Sequence, residues 1–262
     1  MWPTTIDITA LREARQRDPA HAAVVASIAA ACSETGFFCV EGHGIEPTLG
    51  NRLVDAARGF FALTEEAKAE ISMDRGGRAW RGWFPLGGEL TSGEADAKEG
   101  IYFGADLPPT HPAVLASTPL HGANLYPREP EELAGLVDEW MVAVTAVGQQ
   151  LLKAMALGLG LEANWFDRWC AEPLVMFRIF HYPALPVAPE VERGVAEHTD
   201  YGLLTLLAQD DTGGLEVEGP GGWEAVATSE GVIVCNLGDM LERTTGGRYR
   251  STLHRVRRPE QD

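Results

Sequence analysis

The stretch Glu197-His198-Thr199-Asp200-Tyr201-Gly202-Leu203-Leu204-Thr205-Leu206-Leu207 carries two signals at once. Its second half is an apolar run of strand length. Its first half sets an imidazole and a carboxylate two residues apart. Around it the hydrophobic period is two from Leu174 onward. Leu174–Tyr182, Leu203–Gln209, Leu215–Glu218, Trp223–Val226 and Val232–Asn236 read as strands, and Ser251–Val256 is strand-like. Turn residues stand at the joints: Asp211–Gly214, Gly219–Gly222 and Gly238-Asp239. Several short strands separated by turn signals predict a sandwich or barrel.

Upstream the period is helical. Ala20–Thr35 is predicted as a helix ending at Gly36, a C-terminal cap, and Phe37–Val40 as a short strand before the turn Gly42-His43-Gly44. Pro47–Leu63 reads as a second helix. Thr64 is placed to cap a third, with Glu65 and Glu66 at its positive end. Glu131–Leu161 is the longest predicted helix, with an apolar stripe of Leu133, Leu136, Val137, Trp140, Met141, Val144, Val147, Leu151, Leu152 and Met155. Residues 75–125, punctuated by Gly76-Gly77, Gly87-Gly88, Gly93, Gly100, Gly104 and Pro108-Pro109, read as a long loop of the kind that covers a binding site. The expected organisation is a single domain over 1–262. Residues 1–173 form a mainly helical N-terminal part, and 174–262 form a β core truncated at its C-terminus.

With 262 residues, 45% of them hydrophobic, the chain can bury a sizeable core. A net charge of −17 argues against nucleic acid and against an anionic membrane as partner. No apolar run reaches the roughly 18 residues of a membrane span, and Met1–Ala10 lacks the pattern of a secretory signal. Cys32, Cys39, Cys170 and Cys235 form no C-x-x-C pair and read as reduced thiols, which fits a cytoplasmic protein. A monomer is the favoured state.

Most of the seven histidines read as structural: His21, His43, His111 and His121 in turns or helix starts, and His181 on a strand. His198 and Asp200 differ. On an extended chain they project to one side, where both can meet one ion. His254 supplies a third group on the later strand-like stretch. Two histidines and a carboxylate describe a non-haem Fe(II) oxygenase site with three open positions. The same three could hold zinc in a hydrolase.

The segments from His198 to Leu207, Gly214-Leu215-Glu216-Val217, Asn236-Leu237-Gly238-Asp239 and Arg248–Val256 resemble the isopenicillin-N-synthase-like family of 2-oxoglutarate- and Fe(II)-dependent dioxygenases. So do Gly36-Phe37-Phe38 and Gly42-His43-Gly44-Ile45, and the similarity covers nearly the whole chain. The local pattern is loosely similar to the bacterial ethylene-forming enzymes. The resemblance implies an α+β, mainly β architecture: a double-stranded β-helix, or jelly roll, with N-terminal helices packed outside. It implies Fe(II) on His198, Asp200 and His254, with 2-oxoglutarate and O2 as cosubstrates. A small polar molecule would be oxidised, most simply hydroxylated, with succinate and CO2 as co-products. A same-fold oxidase that uses no 2-oxoglutarate is the alternative.

Within Phe180-His181-Tyr182-Pro183, the resemblance points Tyr182 at the cosubstrate. Alternation places Arg178 on the same face, and a buried Arg there would need a partner, either an anionic substrate or cosubstrate or a structural ion pair. In Trp80–Phe103, Glu89 and Thr91 are expected to bind substrate, with Phe180 beside them. The family also places an Arg-x-Ser clamp for the far carboxylate about ten residues beyond the distal histidine, whereas this chain stops at Asp262. The expectation is a clamp in sequence following Asp262, or one built from residues present, with Arg178 first. Arg257, Arg258, Pro259 and Glu260 read as a turn, so the His254 strand is expected to lack a partner.

Overall fold

A computed structural model of the chain describes residues 3–16, 18–170, 172–184, 193–219 and 221–259. The turn positions Pro220 and Glu260 lie outside them. The strands are β1 (Thr5–Asp7), β2 (Phe37–Glu41), β3 (Gly82–Phe84), β4 (Leu90–Thr91), β5 (Glu94–Ala95), β6 (Glu99–Gly104), β7 (Met176–His181), β8 (Arg193–His198), β9 (Leu204–Ala208), β10 (Leu215–Gly219), β11 (Gly222–Ala225), β12 (Ile233–Leu237) and β13 (His254–Arg257).

Two four-stranded sheets, in the orders β1-β2-β12-β9 and β11-β10-β13-β8, make the sandwich. Phe37 and Cys39 of β2, Val234 of β12 and Leu215 and Val217 of β10 share one buried cluster, so the two sheets pack face to face. The alternate residues Phe38 and Val40 point the other way, into a cluster with Ile28, Val147, Leu151 and Met155 from two helices. Strand β2 is therefore covered on both faces, which is why it reads as an unbroken apolar run. Each fully buried Phe there contributes about 1.5–3 kcal/mol of transfer free energy.

The helix predicted over Ala20–Thr35 spans Pro19–Glu34. Gly36 ends it at φ +67°, and a Cβ there would stand 2.1 Å from the Arg250 carbonyl oxygen, so only glycine fits. Thr64 caps Glu65–Lys68 by accepting from the Ala67 N–H at 3.4 Å. The long helix is Leu133–Gly158. Its first turns join Leu133, Leu136 and Val137 to one cluster, and its later turns join Val147, Leu151 and Met155 to another. Among the described residues it is also the helix long and apolar enough to cross a bilayer by length and composition alone.

Three expectations are corrected. First, residues 75–125 are not one loop. They hold β3, β4, β5 and β6, and β6 is buried throughout at the centre of a third sheet, β3-β6-β7. Its glycines mark close packing, not chain reversal. A Cβ on Gly100 would stand 2.6 Å from the Phe180 ring, and one on Gly104 1.9 Å from the Arg81 guanidinium. Second, the N-terminal part supplies β1 and β2 to the first sandwich sheet, with β2 antiparallel to β12. Third, β13 runs through Arg257 and is paired on both sides, with β10 and with β8. Arg255 and Arg257 pair with Glu216, and Arg258 donates to the Pro183 and Ala184 carbonyls.

Candidate metal centre and active site

Strand pairing brings the three predicted ligands together. His254 opens β13 directly opposite His198, the last residue of β8, and their rings lie 4.2 Å apart. Asp200 follows β8 by two residues. Its Oδ1 is 3.8 Å from each histidine Nε2. One ligand atom from each residue lies within 4.8 Å of the other two.

Every other valence of these groups is tied down. His198 Nδ1 faces the Ala196 carbonyl at 2.9 Å, and His254 Nδ1 faces that of Thr252 at 3.2 Å. A proton held on each Nδ1 leaves the Nε2 lone pair for an ion. Asp200 Oδ2 accepts from Thr205 Oγ1 at 2.5 Å and from Asn236 Nδ2 at 2.7 Å, which leaves Oδ1 toward the histidines. Burial pushes the Asp200 carboxyl up. The nearby His254, the two hydrogen bonds and His198 outweigh it and hold the group below its ordinary range. Burial, with His198 beside it, lowers His254 against the pull of Asp200, which favours the neutral, ligating imidazole. The donor set fits a divalent transition metal.

The backbone around Asp200 is clamped by the turn after β12. Asp239 N–H donates to the Asp200 carbonyl at 2.7 Å. A Cβ on Gly238 would stand 2.3 Å from the Gly202 carbonyl oxygen, so Asn236-Leu237-Gly238-Asp239 reads as the seat of the Asp200 loop. Asn236 and Thr205 were absent from the predicted site. The signal for Asn236 was an amide within the apolar run Ile233–Leu237, where a buried amide needs a partner.

Beside β8 lies a second constellation on the β6–β7 face. Phe180 stands 6.2 Å from Tyr182 and 6.3 Å from Tyr102, and the Arg178 guanidinium lies 4.9 Å over the Tyr102 ring. Residues 178, 180 and 182 thus share one face, as alternation predicts. Arg178, however, is exposed, not buried, with its guanidinium lying over the Tyr102 ring. The Tyr182 phenol is pushed far up by burial and by the negative Asp96 and Glu89. The β4–β5 hairpin presses on β8: Ser92 Oγ donates to the Glu197 carbonyl at 3.0 Å, next to His198. It carries Glu89 and Thr91 into the same cluster. Lys98 Nζ lies 3.1 Å from Glu89, 2.8 Å from Asp96 and 4.5 Å over the Phe180 ring. Thr91 donates to Asp96 at 2.8 Å, and Tyr102 OH donates to Glu89. Lys98, Asp96 and Tyr102 were missed as site residues. A Lys two residues after an Asp reads as a solvated loop until β6 buries it. His181, on the opposite face of β7, pairs with Glu99, consistent with a structural role.

Comparison with known proteins agrees with this geometry. Residues 4–129 match the family described as non-haem dioxygenase in morphine synthesis N-terminal, and residues 173–262 match the 2OG-Fe(II) oxygenase superfamily. A Dictyostelium discoideum protein named probable iron/ascorbate oxidoreductase is 42% identical over 273 residues, covering 96% of this chain and 75% of the relative. Homoarginine-6-hydroxylase of Oryza sativa subsp. japonica is 36% identical over 239 residues, covering 89% and 72%. The crystal structure of a full-length Neurospora crassa protein in complex with alpha-KG superposes with a TM-score of 0.83 at 26% identity, covering 98% of this chain and 79% of that one. With two imidazoles and a carboxylate converging inside a jelly roll, and with relatives this similar along nearly its whole length, the chain belongs to the 2OG-Fe(II) oxygenase superfamily, enzymes that use Fe(II), 2-oxoglutarate and O2.

Proposed function

We propose that the chain hydroxylates a small polar molecule, with iron held by His198 Nε2, Asp200 Oδ1 and His254 Nε2. The observation that carries this is the trio of ligand atoms within 4.8 Å, each with its remaining valences fixed by a neighbour. A ferrous ion bound there supplies open positions for 2-oxoglutarate and O2 and the oxidising power for hydroxylation. The protein's part is orientation. The Ala196 and Thr252 carbonyls hold both imidazoles in the ligating tautomer, and Thr205 with Asn236 fixes the carboxylate so that one oxygen faces the ion. Tyr182 offers a protonated phenol to the cosubstrate. Glu89, Thr91 and Phe180 face the substrate, with Phe84 and Tyr102 packed against Phe180 as the apolar wall. We also assign the single-domain organisation and the helices as an outer layer to this reading.

The test is release of succinate from 2-oxoglutarate under air. Release that requires added Fe(II) supports the reading. Substrate oxidation without any succinate would point to a same-fold oxidase and overturn it.

The carboxylate seat gives a separate expectation. Asn236→Leu removes a donor to Asp200 without touching a ligand. It should weaken Fe(II) binding about 10–100-fold by equilibrium dialysis. Unchanged affinity would show that the Asn236 bond has no part in holding the carboxylate.

A further inference from the structure

We propose that Thr252 is a positioning residue for the distal histidine: its side chain ties the segment leading into His254 onto the carboxyl end of the helix Pro19–Glu34. This rests on the reading of His198, Asp200 and His254 as an iron site.

The two imidazoles are anchored differently. The acceptor for His198 Nδ1 is the carbonyl of Ala196, a residue inside β8, where pairing with β13 fixes the backbone. The acceptor for His254 Nδ1 is the carbonyl of Thr252, which precedes β13 in a stretch without regular structure. Its placement comes from the helix instead. The last carbonyls of a helix have no partner within it. Here three of them are taken by the chain on its way to His254. The Arg250 N–H donates to Cys32 at 3.0 Å, the Arg250 guanidinium to Glu34 at 3.2 Å, and Thr252 Oγ1 to Thr35 at 2.7 Å. A cationic Arg250 suits the negative end of the helix dipole. The Thr252 bond is the one made by the residue whose own carbonyl faces His254. Thr35 is held in turn, since its Oγ1 donates to the Phe37 carbonyl at 2.7 Å. Phe37 is buried, and its ring meets that of His254 edge to face, with centroids 5.3 Å apart. The turn Thr35-Gly36-Phe37 thus bears on His254 twice, once through Thr252 and once through the Phe37 ring. A Thr252 carbonyl free to shift would let the imidazole swing and turn its Nε2 away from Asp200.

The experiment measures Fe(II) affinity by anaerobic equilibrium dialysis for wild type, Thr252→Val, Thr252→Ser and Tyr249→Phe, with a thermal melt of each. Thr252→Val keeps the shape and removes the donor. It should bind Fe(II) about tenfold more weakly, the lower end of what loss of a ligand's outer partner costs. Thr252→Ser keeps the donor and should bind as wild type does. Tyr249→Phe breaks a different bond of the same segment, from the buried Tyr249 hydroxyl to the Met155 carbonyl at 2.9 Å. It should lower Tm and leave Fe(II) affinity unchanged, which general loosening of the segment would not do. A second readout is proton NMR of the Co(II)-loaded proteins, in which the paramagnetic ion shifts the Nδ1–H of each ligating imidazole clear of other signals. In Thr252→Val one of these protons should exchange faster with water and the other should be unchanged. Thr252→Ala is read by the same criteria if the valine variant lacks a cooperative melt. The proposal is overturned if removing the hydroxyl leaves Fe(II) affinity at the wild-type value, or if Tyr249→Phe weakens it by the same factor. It is also overturned if serine fails to restore binding, or if both imidazole protons change alike. Failure of the wild type to bind Fe(II) at all would instead sink the underlying site reading, and this proposal with it.

Discussion

Asp200→Ala is expected to lower Fe(II) affinity at least about a hundredfold and to abolish succinate release, since loss of outer contacts alone costs about 10–100-fold. Asp200 is the one charged member of the proposed ligand trio, and its Oδ1 is the atom that lies 3.8 Å from both Nε2 atoms. Two neutral imidazoles alone make a weak site for a ferrous ion. The substitution also strips Asn236 of its acceptor inside a buried strand, at a cost of about 1–3 kcal/mol. In a chain of this size that lowers Tm by several degrees, roughly 2–4 °C per kcal/mol. Dialysis and a thermal melt on the same preparation separate the two effects. An Asp200→Ala protein with wild-type iron content and activity would refute the assignment.

The largest stability effect is expected away from the metal. Lys68 and Glu99 form a buried pair at 2.7 Å, with side chains 8% and 9% exposed. Trp83 Nε1 also donates to Glu99, at 2.9 Å, and His181 Nδ1 lies 2.9 Å from its second oxygen. Lys68→Met leaves that carboxylate buried without its cation and should cost about 3–5 kcal/mol in urea unfolding. The pH dependence follows from Glu99. Burial raises its pKa, but the bonds from His181, Lys68 and Trp83 and the charge of Lys68 bring it below the ordinary 4.5. A depressed carboxylate stabilises the fold fully above its unfolded value, and that contribution is lost as pH falls through the folded value. The gap between wild type and Lys68→Met should therefore hold steady at neutral pH and narrow below about 4.5. A gap that widens on acidification would contradict this account of the pair.

The clustering of the three proposed ligands was legible because these residues announce themselves locally. His198 and Asp200 are separated by one residue at the end of a strand, and His254 opens a later strand that pairs with the first. Asn236 was visible only as an oddity, since its partner depends on where the Asp200 loop folds back. The sheet β3-β6-β7 was not legible. Gly100 and Gly104 give the same signal whether a chain turns or packs closely, and only the rings of Phe84 and Phe180 and the Arg81 side chain decide between the two. Phe37–Val40 reads as a strand, but its neighbours, β1 in parallel and β12 from far downstream, follow from tertiary pairing. Alternation gave the face of Arg178. Its exposure was not legible, since alternation fixes the face of a strand and not how much of that face is covered.

The most direct test of the central claim is an anaerobic titration of the metal-free chain with Fe(II), followed by 2-oxoglutarate, read by visible charge-transfer absorption. One equivalent of Fe(II) should bind. The band should appear only when both are present and be lost in His254→Ala, whose ring belongs to the trio within 4.8 Å. A full-strength band in His254→Ala, or 2-oxoglutarate binding that is indifferent to Fe(II), would contradict the account.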